Sequence, residues 1–161
     1  MPYMIDGHNL IPKVRGLSLQ NPDDELELIK QLQTFCRVRR QTVEVYFDKA
    51  SPGHSGAKSF GLVKAYFVPE TSNADTAIRQ ALKRLERKAR NWKVVSSDRQ
   101  VQAEVRSAHA VVISSEAFAA QLDEALVQAF KSPTGGQGLS AEEVDAWLEL
   151  FNHDRDETSD R

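Results

Sequence analysis

The sequence is poor in cysteine and has no long apolar run, and each scarcity excludes a class of protein. Among 161 residues Cys36 is the single cysteine, so no intramolecular disulfide can form. We expect Cys36 to pack in the core of the fold or at its boundary. No apolar run approaches the roughly 20 residues that span a bilayer, and the first residues lack the basic-then-apolar pattern of a secretory signal. These absences predict a cytoplasmic protein with no membrane partner.

Motifs for common cofactors are also missing. The chain has no GxGxxG, so a dinucleotide site has no support, and its four histidines are scattered without zinc spacing. The segment Gly53–Ser59 resembles a phosphate-binding loop. It is one residue short, however, and leads into a strand where that loop requires a helix. Hydrolysis of nucleoside triphosphates is therefore rejected.

Short apolar runs alternate with helical patterns along most of the chain. Short runs of this kind suit parallel strands covered on both faces, and strands alternating with helices indicate βαβ units. We therefore predict an α/β domain with a mainly parallel, five-stranded central sheet. The predicted strands are 2–6, 42–48, 62–68, 92–95 and 110–113, and the predicted helices are 23–40, 73–90, 99–107 and 115–131.

Two segments depart from this alternation. Residues 49–61 have too few apolar side chains for a packed crossover helix, so we expect an extended, glycine-containing loop there. The segment 133–139 is rich in glycine and predicts a flexible linker after a domain of residues 1–132. A capping box at Ser140 then opens an amphipathic helix over 140–152, which either packs on the domain, as we expect, or contacts a partner. The polar residues 153–161 predict a disordered tail.

Four aspartates occupy strand ends or a helix start. Asp6 ends the first predicted strand, Asp48 ends the second, and Asp98 follows the strand that begins at Lys93. Asp75 lies in the first turn of the helix after the third strand. Ligands of an open parallel sheet bind outside the carboxyl ends of its strands. If the strands are neighbours, all four carboxylates face one crevice, although each alone also suits a turn, a helix cap or a helix dipole.

Such a crevice calls for a cation. Crowded carboxylates repel one another and raise one another's pKa values unless a cation neutralises them. Ligands that are all oxygen favour Mg²⁺ or Mn²⁺ over zinc. A metal held in this way polarises a phosphodiester and lowers the pKa of a bound water. The expected reaction is hydrolysis by metal-activated water, without a side-chain nucleophile.

Basic residues near the acidic site indicate a polyanionic substrate. Residues 74–106 carry nine basic and four acidic side chains, a net charge of +5, whereas residues 137–161 carry two and eight, a net charge of −6. Arg79 follows Asp75 by one helical turn and suits either a phosphate contact or an ion pair with Asp75. This basic face continues with Lys83, Arg87 and Arg90. It suits either binding of a nucleic-acid phosphate backbone or an ordinary solvated surface.

Four motifs in order resemble the NYN domain, and within it the YacP-like branch of the PIN-like nucleases. The motifs are Met4–Ile11, Val45–Asp48, Asn73–Ile78 and Val95–Gln102. The resemblance covers roughly residues 2–122, and it implies a three-layer α/β/α PIN-like fold and an endoribonuclease that depends on Mg²⁺ or Mn²⁺. The chain departs from the usual pattern at His8, where a tyrosine is common, which puts local substrate stacking in doubt.

The resemblance also assigns expected roles to individual residues. Asp6, Asp75 and Asp98 match the metal-binding acids, and Asp48 matches the acid after the second strand, for which direct metal contact is less certain. Asn9 matches the asparagine of the first motif and Ser97 the hydroxyl residue before the last acid. Both are candidates for contact with a metal-bound water or the substrate, and a structural role is the open alternative. The remaining candidates for contact with substrate phosphates are Arg79, Arg99, Lys58 and Lys83.

The sequence as a whole predicts a metal-dependent endoribonuclease that hydrolyses RNA phosphodiesters, either free or presented by a ribonucleoprotein such as the ribosome. The first alternative is a PIN-like module that binds RNA or a ribonucleoprotein without cutting it. A small-molecule phosphatase is a third possibility. It lacks the pair of aspartates one residue apart that haloacid-dehalogenase-type phosphatases carry, because Gly7 and His8 follow Asp6.

Overall fold

A twisted array of six strands forms the centre of the fold. The computed structural model describes residues 1–20, 23–50 and 53–131. The strands are β1 (Tyr3–Asp6), β2 (Val43–Ala50), β3 (Gly56–Phe60), β4 (Val63–Pro69), β5 (Lys93–Val95) and β6 (Val111–Ile113). Their order across the sheet is β3-β4-β2-β1-β5-β6. Every neighbouring pair is parallel except β3 with β4.

Helices cover both faces of this sheet. They are α1 (Gly7–Leu10), α2 (Asp24–Arg39), α3 (Ala74–Leu85), α4 (Arg99–Ser107) and α5 (Ser115–Lys131), with 3₁₀ turns at Ile11–Lys13 and Glu86–Asn91. The predicted three-layer α/β/α fold with a mainly parallel sheet is confirmed. Among the described helices, none combines the length and the apolarity needed to cross a bilayer.

Side chains of the central strand alternate between two hydrophobic cores. Tyr3 and Ile5 join the core beneath α2 and α5, whereas Met4 joins the core beneath α3 and α4. Successive residues of a strand point to opposite faces, so Asp6 points to the α3 side. The predicted packing of Cys36 is confirmed, because it is buried in the first core and burial raises the pKa of its thiol to about 12.

Capping side chains fix the starts of the helices that matter for the site. The Asn73 side chain accepts a hydrogen bond of 2.8 Å from the Thr76 backbone N–H and caps α3. Asp98 caps α4 in the same way. Helices α4 and α5 have the predicted bounds, because polar caps and a clear apolar period mark both in the sequence.

The prediction of an extended loop over residues 49–61 was wrong in part. Its second half forms β3, an exposed edge strand that pairs antiparallel with β4, so the sheet has one strand more than predicted. Residues 56–60 lack the apolar alternation of a half-buried strand, which is why the pattern did not indicate one. Gly61, with φ of +64°, supplies the positive φ at the tight turn between the two strands.

The helix predicted over 73–90 was also too long. Helix α3 ends at Leu85, and Glu86 takes a positive φ of 51° before a 3₁₀ turn continues to Asn91. A positive φ is uncommon for a residue other than glycine, so an apolar period that continues through Ala89 does not indicate the break. The predicted linker 133–139, helix 140–152 and tail 153–161 lie outside the described residues.

Gly7 is expected to be intolerant of any side chain. A Cβ at this position would lie 2.5 Å from Cδ1 of Phe47, 3.0 Å from the Tyr46 carbonyl oxygen, and against Cε1 of Phe47. Phe47 is fully buried, so its ring has no free space to move into. We expect Gly7→Ala to lower the free energy of unfolding by about 1–3 kcal/mol, measured by urea denaturation. The exposed Gln80→Ala serves as control, and equal midpoints for the two variants would contradict this packing.

Candidate active site

The four predicted aspartates meet at the carboxyl edge of the sheet. Asp6 ends β1, and β1 lies between β2 and β5. Asp48 follows Phe47 in β2, and Asp98 comes three residues after the end of β5. Asp75 belongs to the first turn of α3. The charges of Asp75 and Asp48 both affect the pKa of Asp6, and that of Asp98 affects the pKa of Asp75, so the four form one electrostatic cluster.

Asp6 and Asp75 form a direct carboxyl–carboxylate pair. The Asp6 side chain is buried, and a hydrogen bond joins it to the Asp75 side chain. Burial, with the neighbouring charge of Asp75 next, raises the pKa of Asp6 to about 7. Burial and the charge of Asp98 raise the pKa of Asp75, while the bond from Asp6 opposes that rise. Asp6 is therefore the partner that holds the shared proton in the absence of a cation.

Asp48 connects the sheet to α3 as well as facing the cluster. The register of β2 with β4 shifts after Phe47, and such an irregularity redirects the following side chains. The Asp48 carboxylate accepts a hydrogen bond from the backbone N–H of Ala74, at the start of α3. This bond holds the first turn of α3, and with it Asp75, against the carboxyl edge.

Asp98 combines a capping role with an exposed carboxylate. Its Oδ1 accepts hydrogen bonds from the backbone N–H groups of Gln100 at 2.9 Å and Val101 at 3.3 Å. Its own N–H donates to Oγ of the buried Ser96 at 3.2 Å. The side chain of Asp98 is thereby fixed at the start of α4, and the residue remains exposed.

The donor set fits a hard divalent cation such as Mg²⁺. All four side chains offer oxygen, and a buried carboxyl that retains its proton to about pH 7 is a position where a cation would replace that proton. No three His, Cys, Asp or Glu side chains of the described segments stand close enough to share one ion. Since Mg²⁺ keeps several waters and takes one or two carboxylates directly, the Asp6–Asp75 pair alone meets its needs.

Asn9 and Ser97 were predicted to contact substrate, and the structure gives both side chains internal partners. Oδ1 of Asn9 accepts hydrogen bonds from the backbone N–H of Ser97 at 2.9 Å and from Oγ of Ser115 at 2.5 Å. Oγ of Ser97 donates to Glu116 at 2.6 Å and accepts from the Ser115 backbone N–H at 2.9 Å. The network ties α1, which directly follows β1, to the segment before Asp98, so it positions that acid.

Arg79 makes an ion pair different from the one proposed with Asp75. Its Nε lies against Oε2 of Glu104 on the neighbouring helix α4. Its charge still reaches Asp75, because it opposes the rise of that residue's pKa. Arg79 therefore lies between the acidic cluster and the space between α3 and α4. Its ion pair with Glu104 is a third role beside the two predicted ones, phosphate contact and pairing with Asp75.

The other residues predicted to contact phosphate differ in how near they lie to the aspartates. Arg99 is exposed and directly follows Asp98. Lys83 is exposed two turns further along α3 than Asp75. Lys58 is not brought to the cluster: it lies on β3 in register with Ile5, three strands and about 14 Å away, on the face opposite to Asp6. Its Nζ lies 5.6 Å from the centroid of the Phe67 ring.

His8 is committed to a neighbour on α2. Its Nε2 lies 3.2 Å from Oε1 of Glu25, and this hydrogen bond is the main cause that raises the pKa of His8. Its ring also packs 5.6 Å from the Phe47 ring. The departure from the aromatic tyrosine at this position thus accompanies a polar link between α1 and α2.

Several residues of the site were missed by the sequence analysis. Glu25, Glu104, Ser115 and Glu116 lie in helices whose pattern indicated no more than solvated or capping positions. The signal available was the position of Ser115 and Glu116 at the start of a helix after a predicted strand, which places them at the same edge of the sheet as Asp98.

The fold and the acidic edge together define the class of PIN-like α/β/α domains. The family described as the YacP-like NYN domain matches residues 3–148, and the chain belongs to that family. A crystal structure of Rae1 (YacP) from Bacillus subtilis is similar, with a TM-score of 0.70 and 19% identity over 97% of each chain. The W164L mutant of that protein gives a TM-score of 0.67 and 19% identity, covering 93% of this chain and 92% of that one.

At this identity the two crystal structures establish the fold, and the family match establishes the membership. No curated protein sequence matches the chain significantly. Membership in the NYN family supports a nuclease-like, RNA-related function. The predicted resemblance to the YacP-like branch is confirmed.

Proposed function

We propose that the protein is a metal-dependent endoribonuclease that hydrolyses phosphodiester bonds of RNA. The observation that carries the proposal is the buried Asp6 carboxyl, hydrogen-bonded to Asp75 within a group of four aspartates at the carboxyl edge of a parallel sheet. Burying such a group without a cation is unfavourable, and its raised pKa expresses that cost. Family membership supports RNA as the substrate.

In this proposal the aspartates have unequal tasks. Asp6 and Asp75 bind Mg²⁺ or Mn²⁺ directly, and Asp98 binds it through a metal-bound water. Asp48 adds negative charge and orients the start of α3 through Ala74. When bound, the metal supplies charge neutralisation at the scissile phosphate and an acidified water. Asn9 and Ser97 fix the loop that carries Asp98, and Arg99 beside it is placed to meet a phosphate.

The test is cleavage of a mixed single-stranded RNA in Mg²⁺, Mn²⁺ or EDTA. Because the carboxylates cannot neutralise a phosphodiester by themselves, we expect EDTA to lower the cleavage rate by at least about 100-fold. Re-adding Mn²⁺ in excess of EDTA should restore the rate. The same RNA bound to ribosomes distinguishes cleavage of free RNA from cleavage of RNA presented by a ribonucleoprotein. Cleavage that is equal in EDTA would overturn the role of the metal.

A non-catalytic RNA-binding module is the second candidate. It is favoured by the spacing of the acids, since no three acidic or histidine side chains of the described segments converge on one ion position. It predicts that the protein retains a labelled RNA and forms no product with either metal, whereas the endoribonuclease forms product.

A further inference from the structure

We propose that a basic groove between α3 and α4 binds the phosphate backbone of RNA beyond the cleavage site. The groove has a volume of about 850 Å³ and begins at Arg79. Its cationic wall is formed by Lys83, Arg87 and Arg90. This inference rests on the proposed function for its ligand, and it concerns a surface distinct from the four aspartates.

The groove begins one helical turn away from the acidic cluster, since Arg79 follows Asp75 by four residues on α3. Helices α3 and α4 both begin at the carboxyl edge, at Asn73 and Asp98, and run side by side towards the opposite edge of the sheet. Arg79 lines the upper end of the groove and also acts on the charge of Asp75. A single-stranded RNA with one phosphate at the aspartates would therefore place its following phosphates in the groove.

The break at Glu86 makes this surface a groove. With a continuous helix, Arg87 and Arg90 would extend the face of α3. Instead the positive φ of Glu86 starts a 3₁₀ turn, and both arginines line the space that also borders His109, two residues after the end of α4. A positive φ at glutamate costs of order 1 kcal/mol, and such strain persists where the surrounding structure holds it.

The dipole of α3 explains the position of some of these basic residues but not of all of them. Lys83 and Arg84 lie in the last turn of α3, where cations are stabilised by the carbonyl end of the helix. Arg87 and Arg90 come after that helix has ended, and both are exposed. Glu104 is already paired with Arg79, so Glu86 is the remaining acid of the groove against three exposed cations.

The residues that line the groove favour contact with the RNA phosphate backbone over contact with the bases. Apart from His109 the groove offers no ring for stacking, and its apolar floor consists of the small patch at Leu82 and Ala108. Cations that meet phosphates give affinity without sequence information and make binding depend strongly on salt. The ligand class is therefore a single-stranded polyanion of any sequence.

The test compares two double charge reversals in the full chain. Arg87→Glu/Arg90→Glu changes the groove, and Lys88→Glu/Arg106→Glu changes two exposed cations outside it by the same charge. Binding of a fluorescent 20-nucleotide RNA is measured by anisotropy in EDTA at several salt concentrations. Because EDTA prevents metal-dependent cleavage, the result is independent of whether the protein proves to be a nuclease.

We expect the groove variant to bind about 10-fold or more weakly at low salt and to lose about 1.4 from the slope of log K against log salt, for two lost contacts. The control should stay within about 3-fold of wild type. The milder Arg87→Gln/Arg90→Gln should fall between the two, and unchanged unfolding midpoints verify the fold. Equal losses in both double reversals, no loss in the groove variant, or no RNA binding by the wild type would overturn the proposal.

Discussion

Asp98→Asn is expected to abolish metal-dependent RNA cleavage, with a rate at least about 1,000-fold below that of the wild type. The substitution keeps the size of the side chain and removes its charge. Asparagine is as good a helix cap as aspartate, so the bonds from Gln100 and Val101 can persist through Oδ1. The variant therefore separates the loss of a carboxylate charge at the metal site from the loss of the start of α4. The measurement is single-turnover cleavage of a labelled RNA in saturating Mn²⁺.

Two further variants make this result specific. Asp123→Asn makes the same chemical change at an exposed position on α5, across the sheet from α3, and should cleave like the wild type. Asp98→Ser retains a capping oxygen without charge, and should be as inactive as Asp98→Asn while unfolding at a similar urea concentration. Wild-type cleavage by Asp98→Asn would remove Asp98 from the metal site and leave it as a helix cap.

The elements that the sequence predicted well are those with local signals. Helix α4 begins after the capping Asp98, and β1 alternates between the two cores at each residue, so propensity, capping and burial agree there. The same agreement placed Asp6 and Asp98 at strand ends on one edge of the sheet. A topology in which β1 lies between β2 and β5 then brings them together.

The elements that were missed depend on tertiary partners. The exposed strand β3 exists because β4 offers a free edge and Gly61 allows the tight turn, and neither condition is visible in the residues of β3 themselves. The end of α3 at Leu85 is set by an uncommon backbone conformation at Glu86. Propensity alone cannot indicate either feature.

The partners of charged and polar side chains could not be predicted from the sequence either. Arg79 has acidic residues within reach on its own helix and on α4, and the sequence cannot rank them. The structure selects Glu104, a choice that depends on how α3 and α4 are packed. Asn9 shows the same limit, since its partners Ser97 and Ser115 lie 88 and 106 residues away in the chain.

The pH dependence of stability provides the second large effect, and it arises from Asp6. Burial and the charge of Asp75 raise the pKa of Asp6 from 3.8 to about 7. A raised pKa means that the folded state holds the proton more tightly than the unfolded state does. The metal-free protein should therefore lose stability as the pH rises from about 4 to about 7, and the loss should be complete above that range. Three pH units correspond to about 4 kcal/mol, an upper value because Asp75 shares the proton.

Asp6→Asn removes this dependence, because the amide is neutral at every pH and its oxygen can still accept the bond from the Asn9 backbone N–H, which is 3.3 Å long in the wild type. In EDTA at pH 8 the variant should be more stable than the wild type by about 2–4 kcal/mol, and at pH 4 the two should be nearly equal. Urea denaturation at both pH values measures the difference, with Asp123→Asn as the control that should follow the wild type throughout.

Adding metal to the same experiment connects the stability of the fold to the site. A cation that binds the folded protein at Asp6 neutralises the carboxylates that are ionised at pH 8, so saturating Mn²⁺ should raise the stability of the wild type at that pH far more than that of Asp6→Asn. Parallel pH profiles for the two proteins in EDTA would show that Asp6 is ionised without cost, and the case for a cation at this carboxylate pair would fail with it. A wild type that gains nothing from metal at pH 8, despite the predicted profile in EDTA, would leave the buried pair as a proton-sharing structural contact.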